Sequence, residues 1–192
     1  MELSARKIFQ QVGLSYPTAL RVVNVIRMAI LANTDGSHKL FNGEIELDET
    51  YFGSRRKGQR GRGAFNKIPV FGLLQRNGVV KVEVVKDVSA ETRLTLTVKA
   101  VRRGSIVYTD QFRSYDSLMF CGYRHLKIDY KRKFASGKIY INGVEGFRSY
   151  AKEGLIKHHG VSKKKFSLYL KEMEFRYNNR NRSILNLLMN FL

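Results

Sequence analysis

Tryptophan is absent from this chain, cysteine occurs once, proline twice, and acidic residues are few beside the basic ones. The lone Cys121 excludes an intrachain disulfide and a cysteine-built zinc cluster, and its apolar setting, LMFCGY, reads as packing in a reducing compartment. With so little proline and no low-complexity tract, the chain has no Pro-rich linker and is expected to fold. Long hydrophobic runs are missing too. The most apolar stretch, VVNVIRMAILA, is interrupted by Arg27, falls short of the roughly 20 residues that cross a bilayer, and is followed by no signal-peptide cleavage pattern. A soluble, unexported, cytoplasmic protein without a membrane partner is expected.

What is abundant is positive charge. Thirty-five Lys and Arg against sixteen Asp and Glu give a formal net charge of +19 over 192 residues. That exceeds what solubility requires and points to a polyanionic partner, nucleic acid before any other, although a ribosomal or architectural protein would share it. The length suits one medium-sized domain with a small appendage.

Residues 5–31 read as two helices around the turn Gly13-Leu14-Ser15. In the second, Ala19, Leu20, Val23, Ile26 and Ile30 recur at helical steps, with Ser15 as N-cap and Pro17 in the first turn. The shape is a helix-turn-helix short of one core-forming helix, so the expected division is a partial DNA-binding region at 1–34, a linker at 35–42 and a catalytic-sized domain at 43–192. From residue 43 the period changes. GEIELDETYF alternates Ile45 and Leu47 with Glu46 and Asp48, which predicts a half-buried strand. The basic loop SRRKGQRGRG follows, then PVFGLLQRNG and VVKVEVVKDV as a hairpin about Asn77-Gly78. A helix capped by Ser89, a short strand ending in Asp110, a short helix (YDSLMF), a strand (YRHLKI) and two closing helices at about 142–158 and 162–178 complete the pattern. Three consecutive strands, a helix, a further strand and more helices describe an α/β chain of RNase H-like type, a mixed sheet flanked by helices.

Asp48 sits mid-strand and Asp110 ends the strand expected beside it, so two carboxylates can converge. Glu145 lies in the first turn of a helix and can close the same site. Three hard oxygen donors suit Mg²⁺ or Mn²⁺, with Asp116, Asp129, Glu46 and Glu49 as competing carboxylates. A pair of divalent ions about 3.5–4 Å apart would serve an in-line displacement at phosphorus. Lys152, seven residues after Glu145, falls on the same helix face and can hold a DNA phosphate. Phosphates would also be neutralised by Arg55, Arg56, Lys57, Arg60 and Arg62 of the glycine-rich loop and by Lys131, Arg132 and Lys133.

The strings GEIELDETYFGSRRKGQRGRG, VFGLLQRNG, SIVYTDQFRSYD, INGVEGFRSYAKEGL and YLKEMEFRYNNR resemble, in that order, the DDE transposases of the insertion-sequence fifteen-ninety-five family, over residues 5–182. The resemblance implies an RNase H-like core related to retroviral integrases. It implies Asp48, Asp110 and Glu145 as ligands of Mg²⁺ or Mn²⁺, two ions in all, and Lys152 as the basic residue that follows the glutamate. Asn142 is the alternative third ligand. The implied activity is metal-dependent phosphodiester hydrolysis at transposon ends and transesterification into target DNA, by a homodimer or larger assembly at the bacterial nucleoid. Two departures stand out: Arg148, also a candidate DNA contact, replaces the family's usual Trp, and Tyr140 its common His. With the short N-terminus they leave open the alternative of an impaired or truncated remnant that only binds DNA.

Overall fold

The computed structural model describes residues 4–34, 40–53, 67–110, 113–128, 140–158 and 160–191. Its elements run α1 (Ala5–Val12), α2 (Tyr16–Thr34), β1 (Glu44–Phe52), β2 (Ile68–Gln75), β3 (Val80–Val84), α3 (Ala90–Ala100), β4 (Ile106–Asp110), a 3-10 helix at Arg113–Cys121, β5 (Arg124–Ile128), α4 (Asn142–Ile156), a 3-10 turn at Lys163–Lys165, α5 (Phe166–Asn178) and α6 (Ile184–Met189). Two compact units contain them: residues 38–148, and residues 1–37 together with 149–192. The second unit thus joins residues from both ends of this sequence.

The first unit is a five-stranded sheet in the order β3-β2-β1-β4-β5. β1 is antiparallel to β2 and parallel to β4, β2 is antiparallel to β3, and β4 is parallel to β5. This mixed sheet, with helices on both faces, is the RNase H-like arrangement that the sequence pattern predicts. The hairpin turns at Asn77, whose φ of 57° is the left-handed conformation an Asn-Gly turn uses. Ser89 caps α3 by accepting from the Thr92 amide. On the α3 face, Ile45, Leu47, Phe71, Leu73, Val107 and Leu118 form the core, against which Cys121 packs. On the other face lies the start of α4. A Cβ on Gly72 of β2 would stand 3.2 Å from a Val144 methyl, so the small residue lets the helix approach.

The alternation in β1 was expected to leave Glu46 and Asp48 on an open face. Instead Glu46 is 1% exposed, since α4 covers that side as α3 covers the other. The short helix expected at YDSLMF is part of a 3-10 helix, and α6, capped by Ser183, is an addition to the expected elements.

In the second unit α1 and α2 meet at a bend of 120° across Gly13–Ser15. The Ser15 hydroxyl accepts from the Thr18 amide at the head of α2, as its predicted capping role requires. Within this unit α2 packs on α5 through Arg27, a residue that in the sequence merely interrupts an apolar run. Arg27 is 2% exposed, donates to Glu172 at 2.7 Å and lies 3.6 Å over the Tyr169 ring. Arg176 bonds the other Glu172 oxygen at 2.8 Å. Burial opposes ionisation of Glu172, but the two arginines outweigh it and hold the carboxyl below its ordinary range. Among the described residues no single helix is long and apolar enough to cross a membrane.

Candidate active site

β1 carries four carboxylates, and the fold gives them different partners. Glu44 and Glu46 both bond Arg76, at 2.6 and 3.0 Å. Glu49 points to the α3 face and pairs with Arg93 at 2.5 Å. Asp48 instead shares the α4 face with Glu46, two residues back along the strand. It makes a long contact, 3.5 Å, with the guanidinium of Arg148, which is itself 42% exposed. Two of the competing carboxylates, Glu46 and Glu49, are therefore committed to buried ion pairs. The Asp116 side chain and Asp129 lie outside the described residues.

The sheet register relates Asp48 to Asp110. β1 and β4 pair as Glu44↔Ile106, Ile45↔Val107 and Glu46↔Tyr108. Two residues beyond the last pair come Asp48 on one strand and Asp110 on the other. A step of two preserves the face, so both carboxylates belong to the side that α4 covers. Glu145 sits half-buried in the first turn of α4, Arg148 one turn on and Lys152 two turns on, along a stripe beside the buried Val144, Phe147 and Ala151. Asn142 opens the helix and is exposed.

Electrostatics joins the three acids. The Asp48 carboxyl is pushed up from 3.8 to about 7, first by burial, against the opposing pull of Arg148, and further by the negative charges of Glu49, Asp110 and Glu145. Asp48 thus feels both other candidate ligands. Among the described residues no three His, Cys, Asp or Glu side chains stand close enough to form a ready-made metal cage. The donor set fits a hard divalent ion in its chemistry: three carboxylates, one of them destabilised by burial and by its neighbours' charge, are what such an ion neutralises. The two described histidines, His125 and His158, have other contacts. His125 Nε2 meets the Thr109 hydroxyl at 2.8 Å, and the His158 ring packs edge-on against Tyr169.

Arg55, Arg56, Lys57, Arg60, Arg62, Lys131, Arg132 and Lys133 lie outside the described residues. Glu46 and Arg76 were absent from the expected site. The Gly143–Val144–Glu145 string beside an alternating strand was their only sequence signal, and it is a faint one.

A family model described as the ISXO2-like transposase domain matches residues 40–178. The chain belongs to that family. An uncharacterized transposase-like protein of Haemophilus influenzae is 45% identical over 96 residues, covering 50% of this chain and 78% of that protein. An uncharacterized protein in transposable element ISH50 of Halobacterium salinarum is 28% identical over 196 residues, covering 92% of this transposase-family chain and 65% of the relative. This chain therefore spans somewhat less than two thirds of the latter's length. Among solved structures, the HTLV-2 integrase catalytic core domain in complex with magnesium aligns at 12% identity and TM-score 0.45, over 72% of this chain and 88% of that one. The Mos1 strand transfer complex aligns at 13% identity and TM-score 0.44, over 98% and 71%.

Proposed function

We propose that this transposase-family chain cleaves DNA at the ends of a mobile element and transfers the freed strand into target DNA, with Asp48, Asp110 and Glu145 as its metal ligands. The observation that carries the reading is geometric: Asp48 and Asp110 each stand two residues beyond the last β1–β4 pair, on the face covered by the helix whose first turn holds Glu145, while the other β1 acids are held by Arg76 and Arg93. Partial burial and the charges of Asp110 and Glu145 push the Asp48 carboxyl up there. Burying like charges together is costly unless a cation relieves them, and functional sites are where that cost is found.

In cleavage, water adds to phosphorus, the P–O3′ bond breaks, and the 3′ oxygen leaves as a hydroxyl. In strand transfer that hydroxyl forms a bond to a target phosphorus, the target's own 3′ oxygen leaves, and it takes up the proton released. Mg²⁺ or Mn²⁺ bound by the carboxylates, as a pair, would activate the attacking oxygen and stabilise the leaving one. Arg148 and Lys152, along the stripe that begins at Glu145, hold the phosphates flanking the scissile bond. The +19 charge, the basic loop at 54–63 and Lys131, Arg132 and Lys133 supply the remaining attraction for duplex DNA. Coordinated work on two ends calls for a homodimer or larger assembly at the nucleoid. Residues 1–34 contribute a helix-turn-helix contact to DNA, and 43–192 contain the catalytic apparatus.

One observation favours a second reading, a DNA-binding protein that has lost its chemistry: Arg148 already offers Asp48 a positive charge. The test is incubation of a plasmid carrying the element's inverted repeats with protein and Mg²⁺. Wild type is expected to nick and join, while Asp48→Ala and Glu145→Ala bind the same duplex without cutting it. If wild type and Asp48→Ala are equally inert while binding persists, the enzymatic reading is wrong.

A further inference from the structure

Arg76 follows β2 at the head of the Asn77-Gly78 turn, where a surface arginine is the ordinary expectation. Its side chain is instead 9% exposed. The guanidinium lies between two rings, 3.7 Å from the centroid of Tyr108 and 3.9 Å from that of Tyr140. It bonds Glu44 at 2.6 Å, Glu46 at 3.0 Å and the backbone carbonyl of Tyr140 at 2.6 Å. Burial works against its charge, but the hydrogen bonds it donates to both glutamates outweigh that and hold it above its ordinary value.

Glu46 carries the connection onward. One oxygen accepts from Arg76 and the other accepts from the Val144 amide at 3.0 Å. The first amides of a helix have no partner of their own, so a buried carboxylate aimed at one fixes the helix start in position and complements its positive end. Gly143 makes room: a Cβ there would stand 2.9 Å from Glu46 Oε2 and 2.9 Å from a Leu74 methyl. Arg76 and Glu46 thus grip the backbone at Tyr140 and at Val144, on either side of the entry to α4. Glu145 is the next residue.

We infer that the Glu46–Arg76 pair is a positioning latch: it sets the first turn of α4 against β1, and so sets Glu145 relative to Asp48 and Asp110. The role in chemistry rests on the proposed reading of Glu145 as a metal ligand; the latch itself is a statement about the backbone. It also explains why Glu46, one alternation step from Asp48 on the same face, cannot substitute for it, since both Glu46 oxygens are engaged.

The test uses the full chain in two measurements. In Mn²⁺ titration calorimetry, Glu145→Ala is expected to weaken binding, and Glu46→Met and Gly143→Ala to weaken it about tenfold or more, as loss of support behind a ligand does. Glu46→Gln keeps a carbonyl for the Val144 amide and is expected to stay much nearer wild type. In amide hydrogen exchange, Glu46→Met and Gly143→Ala should speed exchange at Val144 and Glu145 while the amides of β2 and β3 stay protected. Gly143→Ala removes no charge, so it covers the case in which Glu46→Met fails to fold. Unchanged exchange at Val144 and Glu145 in both variants overturns the latch whatever Mn²⁺ does. Wild-type Mn²⁺ affinity in Glu145→Ala, with exchange accelerated as expected, overturns the ligand reading and leaves the latch standing.

Discussion

Replacing Asp48 by Asn should make the metal-free protein more stable at alkaline pH. The folded carboxyl titrates at about 7 against an ordinary 3.8, so folding binds a proton between those values. A group whose folded value is raised is at ease below its unfolded value, and its contribution to stability is lost as pH climbs through the folded one. Folding with Asp48 in place therefore costs about 4 kcal/mol at pH 8, where the carboxyl is ionised, and about 2 kcal/mol at pH 5, where folding must protonate it, taking about 1.36 kcal/mol per pKa unit. Asn has nearly the same shape and no charge, so Asp48→Asn escapes this cost at both pH values. The half-exposed Arg148 loses a long contact in the exchange, which offsets little. Relative to wild type, the variant's advantage should grow by about 2 kcal/mol between pH 5 and pH 8, or roughly 4–8 °C of melting temperature for a chain of this size. Scanning calorimetry with a chelator present measures it, on the transition of the sheet unit. Saturating Mn²⁺ should erase the difference by stabilising wild type alone. An Asp48→Asn protein that is no more stable at pH 8, or whose advantage is the same at both pH values, refutes the electrostatic account of the site.

Other outcomes follow from the same geometry. Arg27→Leu strands Glu172 in the α2–α5 interface with only Arg176, and should lower stability by about 3 kcal/mol in denaturant melts, most clearly at neutral pH where Glu172 is ionised. Ser89→Ala removes the acceptor for the Thr92 amide and should cost about 1 kcal/mol without altering DNA affinity. Lys152→Ala should weaken duplex binding evenly across sequences and reduce the slope of log affinity against log salt by about 1, read by fluorescence anisotropy.

Sequence patterning conveyed most of the sheet because its signals are local. Alternation in GEIELDETYF, the Asn-Gly turn and the Ser89 cap each act within a few residues, and β1, β3 and α3 form where those signals stand. That Asp48 and Asp110 fall on one face of the sheet follows from strand order and period, which RNase H-like topology supplies. Long-range cover is what alternation cannot express. It separates Glu46 from Ile45 without saying that a helix about a hundred residues later will bury Glu46 as fully as the core. Arg27 is the same case: one arginine in an apolar run reads as an interruption until Glu172, 145 residues on, is brought against it. The six-residue α6 is too short for periodicity to define.

The sharing of one unit between both chain ends has a consequence for synthesis. The strands of the sheet are all in hand once β5 has left the ribosome, and the latch once α4 has begun, whereas α2 must wait for α5 before its buried arginine finds a counter-charge. α1 and α2 are thus made before the sheet and secured after it, so a product interrupted before α5 would present a finished sheet with α2 lacking its counter-charge.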